Sequence, residues 1–494
     1  MLLPNNLGDV IMTVPVLDGI KKNISQSHIT FFVEDGFEGG LENLSTCDRI
    51  YKFPRKVLRD SALGADWKQG ILQLTEIVED LRAQRFDSII NLAQHSYLPH
   101  IVSLCGVENT VGGIMLKEGN LALRDPWSQY LYTIPFARTF NRFHATDVYK
   151  KIAGLHGVTD SKIVLTQSEK EKARNYLQSK GVAENSRLVV FQPGAAYPSK
   201  RWPVENFVSL GKMLVNDGYH ILITGASSER DIGSGILESL PANCSLLSGE
   251  LTFRETVAVT SFCEFCVTGD TALMHAASAL QKKVFAIFGS TNPVETGPYG
   301  KGHIVFAGRC TTRPCFCNEC KTKLCMKSIL PDTVYKLILD SQFKYSHLGC
   351  DVYQTEIDTD GMYSLQPICG TNTHFFNETG ASITWRAFDR SIKINQGTDD
   401  YLMFKDESEK TIAVIEKMEE KLQQYLLVKN SESIRNFEIH KKELLSIKGI
   451  GEFWSALLNI RLNSVQVLDF GRGVMESCDV CAKTREQIAS VFCV

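Results

Sequence analysis

Charge of one sign is what this sequence most plainly lacks: 53 Lys and Arg stand against 56 Asp and Glu in 494 residues, a formal net charge of -3. A chain so balanced offers no overall basic footprint to a phosphate backbone, which argues against nucleic acid as its main partner. Long hydrophobic runs are absent too, and no apolar stretch approaches the length of a membrane span. Met1 to Pro15 (MLLPNNLGDVIMTVP) has no basic residue ahead of its apolar stretch and carries Asp9 inside it, which does not suit a secretory signal. These absences give the expectation of a cytoplasmic protein. Short internal repeats and low-complexity segments are also missing.

What is present suits a globular chain, 44% hydrophobic and 22% charged, long enough for two or three domains. Fifteen cysteines are many for a reducing compartment. Cys47, Cys105, Cys244, Cys263 and Cys266 are scattered among apolar neighbours, as small core residues are. Cys310, Cys315, Cys317, Cys320 and Cys325 instead form one dense cluster. Such a cluster suggests thiolates holding a structural zinc or iron before it suggests disulfides, with reduced, unligated thiols as the alternative. Cys478 and Cys481 make a second, weaker Cys-x-x-Cys.

Along the chain, strand-like runs at Ile29 to Val33, Arg49 to Phe53 and Ser88 to Leu92 alternate with an amphipathic stretch near Leu72 to Leu81. A second series follows: LVVFQPG after Arg187, HILITGA from His220, FCVTGD from Phe265 and KVFAIFGS from Lys283. Two successive α/β series predict two Rossmann-like domains, with ligands at the carboxyl ends of their strands. After Tyr345 the alternation stops. Cys350 to Gln396 gives only weak strand signals, whereas Glu407 to Leu427, Ser433 to Ile447 and Gly451 to Ile460 read as helices.

Several turns could carry chemistry. In NNLGDVIMTVP, Asp9 follows Gly8 at the start of a helix, where a carboxylate can act as general base or simply cap the helix. FQPGAAYPSKRWP delivers Lys200 and Arg201 after a glycine turn, as phosphate-binding cations or as a solvated loop. Glu229 in ITGASSE can accept from ribose hydroxyls or complement a helix dipole. VTGDTALMH reads as strand, turn and helix, with Asp270 and Thr271 at the helix start and His275 one turn on; it is an anion cradle or an ordinary capped turn. AIFGSTNPVETGPYG supplies a loop whose backbone can approach a ligand closely.

Taken in order, LGDVIMTVP, PGAAYPSKRWP, GDTALMHAA and FGSTNPVETGPYG resemble glycosyltransferase family 9, the heptosyltransferases of lipopolysaccharide core assembly, over about residues 1–340. The resemblance implies a GT-B architecture of two Rossmann-like domains facing a cleft. Residues 1–160 would form the acceptor domain and 161–344 the nucleotide-sugar domain with the cysteine cluster, followed by a mixed or helical extension over 345–494. It also implies inverting transfer of a sugar, typically a heptose from ADP-heptose, to a hydroxyl of lipopolysaccharide core or a related glycan. No cofactor is needed for that catalysis. By match of motif, Asp9 falls on the catalytic base, Lys200 on the phosphate-binding lysine and Glu229 on the ribose-binding glutamate. Asp270, Thr271 and His275 fall on the donor-phosphate segment, and Leu251 beside the nucleobase. Ala272 departs from a common glycine, and Ala195 and Ala196 lack hydroxyls that some members present. A glycan acceptor makes peripheral attachment at the inner membrane compatible with a cytoplasmic enzyme. Two variants stay open: a protein acceptor of the autotransporter type, and a non-catalytic nucleotide-sugar-binding scaffold.

Overall fold

The computed structural model describes the chain apart from residues 3–5, 65–66, 96, 118, 137, 139–140, 142, 160–161, 241, 311–313, 341–348, 359–360, 370–398, 429–430, 447–449, 464–469 and 493–494. The chain falls into two compact units. One comprises Met1–Leu2, Lys56–Arg142 and Thr373–Val494, the other Leu3–Arg55 and Phe143–Asn372.

Strands β1 (Thr30–Glu34) and β2 (Arg49–Phe53) pair in parallel within the second unit. In the first unit β3 (Ser88–Asn91) pairs in parallel with β4 (Asn109–Met115), and β5 (Leu121–Leu123) joins β4 antiparallel. Gly112 in β4 has φ +91°, and a Cβ there would sit 1.9 Å from the Asn91 carbonyl oxygen, so only glycine fits.

The second unit is built on one large sheet. Its strands are β6 (Arg187–Gln192), β7 (Tyr219–Ile223), β8 (Cys244–Leu246), β9 (Phe265–Gly269), β10 (Lys283–Phe288), β11 (Ile304–Gly308), β12 (Cys350–Ile357) and β13 (Tyr363–Cys369). Their spatial order is β13-β12-β11-β10-β9-β6-β7-β8; β6 to β11 run parallel, while β12 and β13 add antiparallel at one edge. The parallel part has the doubly wound order, which reverses direction between β6 and β9. At that switch point the flanking connections leave on opposite faces and open a crevice at the strands' carboxyl ends.

Residue choice explains the sheet. β9, β10 and β11 read FCVTG, KVFAIF and IVFAG and are buried almost throughout, as strands covered by helices on both faces must be. One cover is the helix Val204–Asn216, whose Phe207, Leu210 and Leu214 recur at helical spacing and are buried with Phe191 and Trp202. Helices Gln167–Ser179 and Phe253–Thr260 each start with a reciprocal capping box, Thr166 with Glu169 and Thr252 with Glu255.

The three helices expected near the C terminus are Asp399–Val428, Ser431–Leu444 and Ile450–Asn463, with Phe470–Phe492 as a fourth. Ile447 lies outside the described residues, as do residues 370–396 of the weakly patterned stretch; its first part forms β12 and β13. Ile415, Met418 and Leu422 are buried with Trp454, Leu457 and Leu458. The Trp454 indole N–H donates to Ser408 at 3.2 Å. Within the same unit Arg461 donates to Gln129 and Thr484, both at 2.9 Å, and burial pulls its guanidinium down to about 10. The Phe453 ring lies 6.1 Å from Tyr130 on the helix Pro126–Thr133. The C-terminal helices therefore share a core with residues from before the large sheet.

Candidate active site

A cavity of about 540 Å³ in the second unit opens at the carboxyl ends of β6, β7 and β9. Asp9, Lys200, Glu229, Leu251, Asp270, Thr271 and His275 all line it. Seven residues spread from position 9 to 275 thus meet at the switch point of the sheet.

Asp9 is the third residue of the short helix Leu7–Ile11, so it follows a helix start rather than a bare turn. It reaches back to the Asn6 backbone and side-chain nitrogens, each at 3.4 Å, long enough to leave the carboxylate weakly held. Capping and facing the cavity are therefore not alternatives here. Burial pushes the Asp9 carboxyl above its ordinary value, against the lowering by Asn6; Asp270 pushes it further up and Lys200 pulls it down. Gly8 next to it is packed by His275: a Cβ there would lie 3.1 Å from the imidazole.

Lys200 ends a single turn of 3-10 helix, Pro198–Lys200, and its Nζ donates to Asp270 at 2.8 Å. Asp270 follows β9 immediately. Burial opposes its charge, yet Lys200 and His275 outweigh that and hold its carboxyl below the usual range. Thr271 caps the helix Ala272–Ala279, and its hydroxyl shares a 3.0 Å hydrogen bond with Thr268. The first N–H groups of a helix lack partners within it, and here Asp270 to Leu273 at the helix start line the cavity, the arrangement that attracts an anion. Ala272 in place of glycine leaves these backbone donors intact.

His275 is 6% exposed, and its Nδ1 has no hydrogen-bond partner. Burial lowers its pKa to about 4, so it stands neutral at pH 7 beside the cation of Lys200. A buried, unpartnered imidazole on a cavity wall is costly unless a ligand completes it.

Glu229 is positioned by close backbone approach. Its carboxylate accepts from the Ala226 N–H at 3.0 Å and from Gln192 at 3.2 Å. It lies against Gly194, where a Cβ would fall 2.1 Å from the carboxyl carbon. Glycine after β6 is thus the space in which the acid sits. Leu251 completes an apolar wall with Phe253.

Adjacency in sequence pairs Arg201 with Lys200, and the structure separates them. Arg201 does not line the cavity, and its guanidinium donates to the Ala195 carbonyl at 3.0 Å. Further lining residues are Gln192, Thr256 and Thr296, which carry no clear sequence signal, and Tyr197, whose ring lies 5.9 Å from the Lys200 ammonium. Tyr197 was legible as an aromatic three positions from the lysine. Thr296 had only its place in a turn-rich loop.

The cysteine cluster is drawn together only in part. Cys315 and Cys317 have sulfurs 3.3 Å apart, and burial with the Cys315 contact pushes the Cys317 thiol up to about 11. Cys320 accepts from the Lys323 N–H at 3.3 Å, and hydrogen bonds from Thr322 and Lys323 lower its pKa. Cys325 is buried in the hydrophobic core, and Cys310 packs against that core. Among the described residues no three His, Cys, Asp or Glu side chains converge as metal ligands. Of the thiolates from which four would build a tetrahedral site, Cys325 lies in the core and Cys310 against it, while Cys315 and Cys317 meet outside it. No helix among the described residues is long and apolar enough to cross a membrane.

A doubly wound sheet with a lysine, carboxylates and a helix start gathered at its switch point defines an α/β protein whose ligand site lies at the carboxyl ends of its strands. The model of glycosyltransferase family 9 (heptosyltransferase) matches residues 74–326, half of the chain, and the protein belongs to that family. Among curated relatives, lipopolysaccharide heptosyltransferase 2 of Escherichia coli K12 is 34% identical over 139 residues, which cover 27% of this chain and 40% of the relative. Lipopolysaccharide heptosyltransferase 3 of the same strain is 23% identical over 309 residues, covering 60% of this chain and 84% of the relative. The first-matched relatives are spanned over only 33% to 40% of their length. The solved structure of the E. coli ADP-heptose lipopolysaccharide heptosyltransferase II superposes with a TM-score of 0.53 at 18% identity, covering 68% of this chain and 96% of that one. The family 9 glycosyltransferase of Veillonella parvula gives 0.54 at 21% identity, covering 68% and 94%. The fold is accordingly α/β of the GT-B class, with a helical C-terminal extension.

Proposed function

We propose that the chain is an inverting glycosyltransferase that moves a heptose from ADP-heptose to a hydroxyl of lipopolysaccharide core or a related glycan. The observation that carries this reading is the meeting of Asp9, the Lys200–Asp270 pair and Glu229 on one cavity at the sheet's switch point. The names of the relatives supply the heptose and the lipopolysaccharide.

In this reading Glu229 accepts from the ribose hydroxyls, and Leu251 with Phe253 lies against the base. Lys200 and the helix start after Asp270 receive the diphosphate. Asp9, its basicity raised by burial, takes the proton of the acceptor hydroxyl as that oxygen attacks the anomeric carbon. The anomeric C–O bond to the diphosphate breaks as the new one forms, and its electron pair leaves with the nucleotide. Lys200 and the backbone donors offset the charge released. Attack opposite the leaving group inverts the anomeric configuration. The neutral His275 offers a hydrogen bond without adding charge. No step uses the thiol cluster.

The test is to incubate the full chain with ADP-heptose and heptose-deficient lipopolysaccharide core, then follow acceptor mass and anomeric configuration. A gain of one heptose with inverted configuration supports the reading. Transfer with retention overturns the mechanism, and nucleotide binding with no transfer to any glycan or protein acceptor overturns the activity.

A further inference from the structure

The thiol segment after β11 meets the turn that carries Lys200 at Ser199. Ser199 is buried, with 2% exposure, and directly precedes Lys200. Its N–H donates to the Asn318 carbonyl at 3.2 Å, and its hydroxyl donates to the Cys317 carbonyl. The same hydroxyl shares a 3.0 Å hydrogen bond with Ser290, whose carbonyl accepts from the Cys315 and Phe316 N–H groups at 3.1 and 3.0 Å. The backbone from Cys315 to Asn318 therefore straps the turn that carries Lys200 to the segment following β10. Between Cys315 and Cys317 stands Phe316 at φ +49°, a left-handed conformation that strains a non-glycine residue. Cys315 is exposed, Cys317 is partly buried and both are free thiols.

We propose that Cys315 and Cys317 form a reversible thiol–disulfide site that sets how Lys200 is presented to the nucleotide diphosphate. The co-reactant is a low-molecular-weight disulfide such as oxidised glutathione. The Cys315 thiolate attacks it and releases one glutathione thiolate; the Cys317 thiolate then attacks the mixed disulfide and releases the second. Two protons pass from the protein thiols to the two glutathiones, and the protein loses two electrons. Bringing two sulfurs from 3.3 Å to bonding distance across a single residue turns the peptide units of Phe316 and Cys317. Those units hold Ser199 and Ser290, so the turn carrying Lys200 moves with them. Reduction restores the strap.

This inference rests on Lys200 being a donor-phosphate ligand, and the experiment separates the two. ADP binding to the full chain is measured by calorimetry in reductant, then after equilibration with oxidised glutathione and removal of the excess, with peptide mapping to locate the bridge. The expected result is a Cys315–Cys317 bridge, a rise in Kd for ADP of about tenfold or more, corresponding to about 1.4 kcal/mol, and recovery on reduction. Cys315→Ser should bind ADP normally when reduced and keep that affinity through the same oxidation. A bridge that leaves ADP affinity unchanged overturns the inference alone. So does the absence of a bridge between these two residues, or an equal loss in Cys315→Ser. A reduced wild-type chain that binds no ADP overturns the donor site and, with it, this inference.

Discussion

Asp9 carries two opposed consequences of one environment. Burial raises its pKa from 3.8, so the folded state favours the protonated form, and above that pH the charged carboxylate works against folding. Asp9→Asn should therefore raise the melting temperature at pH 7 while lowering turnover by roughly a hundredfold to ten-thousandfold, the usual share of a general base. In the wild type, kcat/KM should climb with pH through a limb displaced above the ordinary carboxylate range, and the variant should lose that limb. Asp270 has the opposite sign. Its folded pKa is depressed below 3.8, so its stabilising contribution is complete above that value and disappears as pH falls through the lowered one. Lys200→Met leaves this buried carboxylate without its cation, and chemical denaturation at pH 7 should show a loss of about 3 kcal/mol that shrinks as Asp270 is protonated. Gly194→Ala tests close approach instead of charge. The added methyl would meet the Glu229 carboxyl carbon at 2.1 Å, so nucleotide affinity should fall at least about tenfold, with far-ultraviolet circular dichroism unchanged.

At the scale of elements, the strands that frame the cavity were the most legible. β6, β7 and β9 are buried almost throughout and read as largely apolar runs ending in glycine turns. β8 is only three residues long, CSL, and has no pattern of its own; pairing with β7 makes it a strand. The hairpin of β12 and β13 gives only weak strand signals because its place depends on β11, far from it in sequence. Asp9, Lys200, Glu229 and Asp270 were legible because each stands beside a turn that ends or begins an element. Arg201 was misread because adjacency to Lys200 says nothing about direction, and its guanidinium turns back to Ala195. The dense spacing of the clustered cysteines says as little about direction: the helix Leu324–Lys327 carries Cys325 into the core, while Cys315 is exposed.

At the scale of the molecule, the C-terminal helices are structural partners of the unit that contains β3 to β5. Trp454 is fully buried there, and Phe453 meets Tyr130. Trp454→Ala should cost about 3–5 kcal/mol, read as a lowered denaturation midpoint. Deleting the chain from Asp399 onward should expose Tyr130 and Leu131, both buried in the intact protein, and yield aggregates in size-exclusion chromatography. The amphipathic pattern of Glu407 to Leu427 was readable as a helix, but its partner was not, since helical spacing reveals a buried face and not what covers it.

The claim on which the rest depends is that Asp9 acts as base on a substrate held by Lys200 and Glu229. The direct measurement is release of ADP from ADP-heptose in the presence of acceptor, by wild type and Asp9→Asn, with ADP affinity determined for both. The account predicts that ADP affinity stays within about twofold while acceptor-dependent release falls at least about a hundredfold in the variant. Equal rates of release from the two proteins would contradict it.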